Sequence, residues 1–335
     1  MAKTHSNFIT RLRTSLITGL PLVFMSTLSL ANSDQCLLMQ LKKASAETTV
    51  AELKANCDKD QEFKNAGAIG KRILHEIQTE RDPYVLTPHL MNYVLPITYN
   101  DNINLTPYER FGVNADDLKH AEAKFQLSIK VPLIQNNLFF KYDAIYFGVT
   151  IKSFWQVYAQ NVSAPFRETN YKPEIFYIAP LPFHPFGGNS GFVVGMEHES
   201  NGQAGALSRS WNRVYSAFLY EKGNFAFAFK PWYRLKEEQK KTPLSAKGDD
   251  NPDIEDYLGH FQVTGAYAWD KYQVNLMARQ NFETRNGSLE LGFTFPLSGR
   301  LRGYVQYFNG YGESLIDYNF RQQRFGVGIA LTDFL

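Results

Sequence analysis

The sequence predicts an all-β fold, a twelve-stranded antiparallel transmembrane β-barrel with a short N-terminal extension. Three observations support this prediction. Past residue 31 no stretch contains the run of about 18 apolar residues that a membrane helix needs. Apolar and polar residues instead alternate along segments of about ten residues, which is enough to cross the hydrocarbon layer when a strand is tilted. Aromatic residues concentrate near the ends of these segments, as girdles at the two membrane interfaces require.

The overall charge excludes one class of function. The chain has 35 Lys and Arg residues against 33 Asp and Glu residues, which gives a formal net charge of +2. A strongly basic nucleic-acid-binding protein is therefore excluded as a first interpretation. The sequence also contains no glycine-rich phosphate loop and no cysteine cluster of the metal-binding type.

Residues 1–31 have the organisation of a secretory signal peptide. Basic residues, beginning with Lys3, precede an apolar run that ends in small residues, and cleavage is expected after Ala31. A membrane anchor is the alternative, but the run is short and is interrupted by Gly19 and Pro21. We therefore expect export, and we leave this segment out of the fold.

Residues 32–88 are expected to form an N-terminal periplasmic segment. Cys36 and Cys57 are the two cysteines of the chain, and an oxidising compartment allows them to form a disulfide. They could instead be two unrelated buried thiols. Between them, Thr49 and Glu52 have the spacing of a capping box, which predicts the start of a helix.

Residues 89–335 are expected to form the barrel. In the segment 121–133, Phe125, Ile129 and other apolar residues lie on one face, and polar residues such as Lys124 lie on the other. The same period of two recurs along the chain, although alternation alone also fits a soluble β-sandwich. Twelve strands are predicted, at residues 90–100, 121–133, 139–157, 171–181, 189–200, 209–220, 223–235, 257–269, 271–281, 287–297, 300–310 and 317–335.

The connections between these strands alternate in length. Short connections belong on the periplasmic side of such a barrel and long loops belong outside. The expected long loops are residues 101–120, 158–170, 201–208 and 236–256. The end of the fifth strand, with His198 and Ser200, is thus predicted to lie at the outer end of the barrel.

The fifth and sixth strands carry polar residues on an apolar face. In GFVVGMEHES, His198 and Ser200 share a face with Val194 and Met196, and Asn212 lies on the apolar face of the next strand. Both faces should contact lipid, where polar side chains are costly and suggest function. A serine nucleophile needs a base, and the base needs an orienting partner. From spacing alone, a polar rim that reaches the headgroup layer remains an alternative.

Several motifs identify a family. They are NYVLPITYN, SFWQ with SAPFRETNY, HESNG followed by SRSWNRVY, KPWY, DDNPDI and NGYGESLIDYNF. On these motifs the sequence beyond about residue 88 resembles the outer membrane phospholipase A family of Gram-negative bacteria. The resemblance implies a twelve-stranded barrel in the bacterial outer membrane, with its active site at the outer leaflet. It further implies a calcium-dependent homodimer that hydrolyses acyl esters of phospholipids.

The resemblance also implies a role for each residue of the motif pair. Ser200 matches the nucleophile of the family, His198 matches the base and Asn212 matches the orienting residue. The backbone amide of Gly202 matches the donor to the oxyanion. Because Asn212 is neutral, it would stabilise an imidazolium ion less than an aspartate does.

A calcium site is implied in the same way. Ser208 matches a serine hydroxyl ligand, Gln203 a backbone carbonyl ligand, and Ser163 a backbone carbonyl that the partner subunit supplies. The family commonly has Arg at the position of Gln203, which a carbonyl ligand tolerates. It also has Asp within the stretch that here reads Ala204-Gly205-Ala206. That second change puts a further calcium site in doubt, although Asp250 matches its other acidic member.

A second class of function stays open at this point. A non-enzymatic pore or adhesin would have the same barrel, and HESNG would then be only a rim loop. Hydrolysis of phospholipid in micelles, with and without calcium, distinguishes the two classes.

Overall fold

The chain divides into two compact units, Met1–Lys64 and Asn65–Leu335. The computed structural model describes residues 37–38, 41, 48–54, 57, 67–79, 85–112, 114, 116–135, 138–242, 245, 248–299 and 301–332. The predicted signal peptide, residues 1–31, lies outside these residues.

In the first unit the predicted capping box is present. The backbone N–H of Thr49 donates to the Glu52 carboxylate over 2.8 Å, and the N–H of Glu52 donates to the Thr49 hydroxyl over 3.3 Å. The capping-box prediction is therefore confirmed. Cys57 is disulfide-bonded, and its predicted partner Cys36 lies outside the described residues.

The described part of the second unit contains two helices and a set of antiparallel strands. The helices are α1 (Ala68–Thr79) and α2 (Ile254–Leu258). A two-residue strand, β1 (Thr87–Pro88), precedes the barrel strands. The barrel strands are β2 (Tyr93–Asn100), β3 (Ala121–Gln135), β4 (Ala144–Trp155), β5 (Phe166–Leu181), β6 (Asn189–Ser200), β7 (Ser210–Lys222), β8 (Phe225–Leu235), β9 (Phe261–Trp269), β10 (Tyr272–Gln280), β11 (Gly287–Pro296), β12 (Arg302–Gly310) and β13 (Gln322–Ala330). Short 3-10 turns lie at Glu109–Phe111, Gln160–Val162, Pro185–Gly187 and Gly205–Leu207.

Strands β2 to β13 form a closed ring. Each strand pairs antiparallel with its neighbours in the chain, and the first and last strands of the ring pair with each other, with Tyr99 opposite Phe325. The predicted twelve-stranded antiparallel barrel is therefore confirmed. The additional strand β1 was not predicted, and it pairs with β3.

Several of the predicted strand boundaries were wrong. Strand β4 begins at Ala144 and not at residue 139, because the backbone N–H groups of residues 138–140 donate to the Asp143 carboxylate in a turn. Strand β5 begins at Phe166, before the predicted residue 171, because Phe166 pairs with Trp155 on β4. Strand β9 begins at Phe261 because the residues just before it form α2. Strand β13 begins only at Gln322, since Asp317 lies in a buried loop and binds Arg167 over 2.7 Å.

The barrel is apolar outside and polar inside. On β3, Leu127 and Val131 are more than 40 % exposed, whereas Glu122 and Lys124 are almost completely buried. A water-soluble sandwich would have the opposite distribution, so the alternation belongs to a barrel whose outer wall faces lipid. Among the described residues no helix is long and apolar enough to cross a membrane.

Ion pairs fill much of the interior. Glu313 binds Lys124 over 2.8 Å and Arg324 over 2.7 Å. Glu122 binds Arg167 over 3.0 Å and Arg324 over 2.8 Å. Charges buried this deeply are tolerated because they are paired and hydrogen-bonded. These pairs connect β3 and β5 to the last strand inside the barrel.

Helix α1 binds the end of the barrel that carries the short turns. The backbone N–H groups of Gly67 and Gly70 donate to the carboxylate of Glu221 over 3.0 and 2.9 Å, and that of Ala68 donates to the carbonyl of Gly223. An anion at a helix N-terminus satisfies free N–H groups and complements the helix dipole. The turn after β7 therefore anchors the helix.

Candidate active site on the outer wall

Strands β6 and β7 bring the predicted triad together. Their register places His198 opposite Asn212 and Ser200 opposite Ser210. On the same face of β6, Val194 and Met196 are 45 % and 59 % exposed. The predicted position is thus confirmed: the polar residues lie on the outer wall, at the end of β6 that leads into a long loop.

A hydrogen-bonded chain runs through Asn212. The Asn212 Oδ1 atom lies 2.8 Å from His198 Nδ1, and Asn212 Nδ2 donates to Glu237 Oε1 over 2.7 Å. An ionised carboxylate only accepts hydrogen bonds, so the NH₂ group of Asn212 faces Glu237 and its oxygen faces His198. His198 then carries its proton on Nδ1, which leaves Nε2 free to accept a proton.

Ser200 is half-buried beside this pair. It lies opposite Tyr171 of β5 on one side and Ser210 of β7 on the other. In the part of the chain that the structure describes, no hydrogen bond joins Ser200 Oγ to His198. Bonds between a nucleophile and its base are often long in enzymes without substrate.

Asn201 holds the loop that follows Ser200. Its side chain is 2 % exposed. The Asn201 Nδ2 group donates to the carbonyl of Leu207 over 2.8 Å, and Oδ1 accepts from the N–H groups of Gln203 and Arg209 over 3.2 and 2.9 Å. One buried amide therefore fixes the loop at both ends, and with it the positions of Gly202 and Ser208.

Gly202 has a backbone that favours glycine. Its φ of +65° lies in the left-handed region, and a Cβ atom at this position would lie 3.4 Å from the Tyr171 ring. No described residue accepts a hydrogen bond from the Gly202 N–H group. That group is thus free to donate to a ligand near Ser200.

Only some of the residues predicted to bind calcium lie close together. The Ser208 hydroxyl donates to Asp250 Oδ2 over 2.8 Å, and Ser210 donates to the same atom over 3.2 Å. Lys240 forms an ion pair with the other oxygen of Asp250. Gln203 lies on the same loop as Ser208. A hydroxyl, a carboxylate and a backbone carbonyl are the oxygen ligands that a hard cation prefers, so these residues fit calcium.

Ser163 lies apart from this cluster. It is exposed, has a φ of +61° and ends the 3-10 turn between β4 and β5. Among the described residues no hydrogen bond joins it to Ser208 or Asp250. The described residues also contain no group of three His, Cys, Asp or Glu side chains that could hold a metal ion.

The inner face of the two strands supports the site from below. Glu199 binds Arg213 over 3.0 Å and accepts from Trp211 Nε1 over 3.0 Å, and the Arg213 guanidinium stacks on the Trp211 ring. Since these residues alternate with His198 and Asn212, their contacts restrain the strand positions that carry the triad.

Three residues of the site were not predicted. Glu237 and Lys240 belong to the charged loop 236–256, which the sequence indicates only as a solvated external loop. Asn201 stands within HESNG, next to Ser200, and a polar residue that directly follows a nucleophile is the signal that could have identified it.

Comparisons with known proteins agree with the fold and the motifs. A family model described as Phospholipase A1 matches residues 69–331. The chain is 36 % identical over 267 residues to Phospholipase A1 of Klebsiella pneumoniae, across 79 % of this chain and 88 % of that protein. It is 35 % identical over 275 residues to Phospholipase A1 of Escherichia coli strain K12, across 82 % of this chain and 91 % of that protein.

Solved structures are similar as well. Outer membrane phospholipase A from Escherichia coli matches with a TM-score of 0.70 and 34 % identity, over 78 % of this chain and 98 % of that one. The Salmonella typhi outer membrane phospholipase, a dimer with bound calcium, matches with a TM-score of 0.70, 34 % identity and the same coverage. The resemblance found in the motifs is thereby confirmed, and the chain belongs to the phospholipase A1 family.

Proposed function

We propose that this protein is an outer-membrane phospholipase that hydrolyses acyl ester bonds of glycerophospholipids. The observation that carries the proposal is the His198–Asn212 hydrogen bond on a lipid-facing wall, with Ser200 on the same face. A base and a nucleophile at this position meet acyl chains that lie in the membrane. Family membership and the names of the relatives support the same activity.

The reaction begins with proton transfer from Ser200. Its Oγ atom attacks the ester carbonyl carbon while His198 Nε2 takes the hydroxyl proton. Asn212 Oδ1 accepts from Nδ1–H and holds the ring in the tautomer that this transfer needs. A rotation of Ser200 toward Nε2 would close the bond that is open without substrate.

The oxyanion and the leaving group use the neighbouring groups. The Gly202 N–H donates to the carbonyl oxygen as it becomes negatively charged. The protonated His198 then returns its proton to the leaving alkoxide, which releases the lysophospholipid and leaves the acyl group on Ser200 Oγ. His198 then takes a proton from water as the water oxygen attacks this ester. The same proton passes to Ser200 Oγ as the acyl–oxygen bond breaks, which releases the fatty acid and restores both residues.

Calcium and a second subunit complete the proposal. Ser208 and Gln203 would hold the ion with oxygen ligands, and the partner subunit would add the carbonyl that matches Ser163. Asp250, which its motif position assigns to a further calcium site, accepts from the Ser208 hydroxyl and would lie beside this one. Bound calcium would supply positive charge near the oxyanion. Support comes from the Ser208–Asp250 hydrogen bond and from the Salmonella typhi relative, a dimer with bound calcium.

The proposed location of the protein is the bacterial outer membrane. Residues 1–31 direct export, residues 32–88 form a periplasmic segment, and the barrel lies in the bacterial outer membrane. The long loops, and with them the active site, lie at the outer leaflet.

Replacement of the nucleophile tests the function. Purified protein in phospholipid micelles should release fatty acid when calcium is present. Ser200→Ala should lower the rate by at least about 10⁴-fold, because the attacking oxygen is lost. Ser216→Ala, on the exposed face of β7, is the matched control and should keep wild-type turnover.

Two results would contradict this assignment. If Ser200→Ala keeps near-wild-type turnover, the triad is wrong. If folded, calcium-loaded wild-type protein releases no fatty acid, a pore or adhesin becomes the better interpretation.

A further inference from the structure

The side-chain amide of Asn212 has two partners, and one of them lies outside the predicted triad. Asn212 Oδ1 lies 2.8 Å from His198 Nδ1, while Asn212 Nδ2 donates to Glu237 Oε1 over 2.7 Å. Glu237, Asn212 and His198 therefore form a continuous chain of polar groups along the outer wall, with a carboxylate at its far end.

The Glu237 carboxylate determines the orientation of the Asn212 side-chain amide. An asparagine side chain can rotate by about 180° and exchange its oxygen with its NH₂ group at little steric cost. In the rotated state the NH₂ group would face His198, and Asn212 Oδ1 would face Glu237, so two acceptors would meet. Only the observed state lets both neighbours form hydrogen bonds while Nε2 of His198 stays free.

The fold brings Glu237 to this position. Leu235, the last residue of β8, lies opposite Asn212 on β7, so the chain that continues past Leu235 runs beside the amide. The next residue, Glu238, is exposed as well, and its carboxylate has no hydrogen bond among the described residues. The contact thus belongs to the position of Glu237 rather than to the general charge of the loop.

We propose that Glu237 is a positioning residue of the active site, which orients Asn212 and through it His198. The proposal rests on the proposed function, in which His198 is the base. Glu237 also places a negative charge in contact with Asn212, the neutral member of the triad.

The other charged groups near His198 are already engaged. On the inner face of β6 and β7, Glu197 and Glu199 both pair with Arg213. On the outer face, Tyr171 of β5 and Tyr233 of β8 carry phenol groups and not carboxylates. Asp250, which accepts from Ser210 on β7, is paired with Lys240. Among the described residues, Glu237 is thus the carboxylate that is hydrogen-bonded to Asn212.

The test compares kcat and KM of matched variants on the same phospholipid micelles at saturating calcium. Glu237→Ala should lower kcat about tenfold and leave KM unchanged, because an orienting group acts on the chemical step. Glu237→Gln should recover most of this loss, since its side-chain oxygen still accepts from Asn212. Glu238→Ala should match the wild type. Migration of unheated protein in gels confirms that each barrel is folded.

A double-mutant cycle then asks whether Glu237 acts through Asn212. In the Asn212→Ala background, Glu237→Ala should cause no further loss, because the amide that it orients is gone. Equal losses in both backgrounds would overturn the proposal, as would wild-type kcat for Glu237→Ala.

Failure of this inference is distinct from failure of the proposed function. An inactive wild type, or an active Ser200→Ala, would reject the proposed function itself. An active wild type with an inactive Ser200→Ala and an unaffected Glu237→Ala rejects the role of Glu237 alone.

Discussion

Asn212 lies between His198 and Glu237, and its two hydrogen bonds lead to an unusual prediction. In many serine hydrolases the third member is an aspartate, so Asn212→Asp would ordinarily be expected to improve proton transfer. Here Glu237 lies 2.7 Å from the Asn212 amide nitrogen. An aspartate at position 212 would place two carboxylates in contact, and like charges at that distance disfavour each other strongly.

We therefore expect Asn212→Asp to lower kcat, by about tenfold at neutral pH. Combining it with Glu237→Gln should restore activity, since the glutamine NH₂ group can donate to the new carboxylate. Steady-state kinetics of the single and double variants measure this. A gain of activity in Asn212→Asp alone would contradict the prediction.

The same residues show how much of the candidate site can be predicted from the sequence. The positions of His198, Ser200 and Asn212 could be predicted because strand alternation fixes the face of each residue, and a specific motif gives each its proposed role. Glu237 could not, because it lies in a loop whose path depends on tertiary contacts. Its proximity to Asn212 follows from the register of β7 and β8, which no local pattern encodes.

Among the strands and loops, the loop after β8 supplies most of the site residues that the sequence did not predict. It carries Lys240, whose ammonium group pairs with the buried carboxylate of Asp250. Asp250 also accepts the hydroxyl of Ser208. A lysine of the chain itself therefore occupies the place where the proposed cation would bind, and calcium would have to compete with it.

Removing this charge should strengthen calcium binding. We expect Lys240→Met to lower the calcium dissociation constant, measured by titration calorimetry, by about tenfold, because repulsion between the ammonium group and the ion is lost. Lys241→Met, which removes the same charge from the next, exposed position, is the control and should bind like the wild type. Weaker binding by Lys240→Met would show that Lys240 supports the site instead.

The strands themselves were predictable and their ends were not. All twelve barrel strands were predicted because each has one face against lipid, which imposes a period of two on residues such as Leu127 and Val131. The ends of strands lack this constraint. Helix α2 lies inside a stretch predicted partly as strand, since Ile254 and Leu258 pack against aromatic and aliphatic residues at the mouth of the barrel. A contact of this kind depends on the closed ring.

For the whole molecule, we expect calcium binding and dimerisation to be thermodynamically linked. If the partner subunit completes the site that Ser208 begins, calcium strengthens the dimer by the same factor by which the dimer strengthens calcium binding. Ser208→Ala should then raise the calcium concentration at half-maximal dimerisation by about tenfold and shift the activity curve equally. Analytical ultracentrifugation across a calcium titration measures the first quantity. Lost activity with unchanged calcium-dependent dimerisation would reject a shared site.

Because Ser200 lies on the outer wall, the relevant substrate concentration is the concentration within the lipid layer. Val194 and Met196 lie on the same face and are exposed, so the approach to Ser200 on that side runs along a surface that contacts lipid. With Ser200 as the proposed nucleophile, substrate would arrive by diffusing sideways within a layer, and the rate would depend on its mole fraction in that layer rather than on its amount in the surrounding water. In a leaflet that holds almost no phospholipid, the same fully folded protein would be idle. A small transfer of phospholipid into that leaflet would raise its rate.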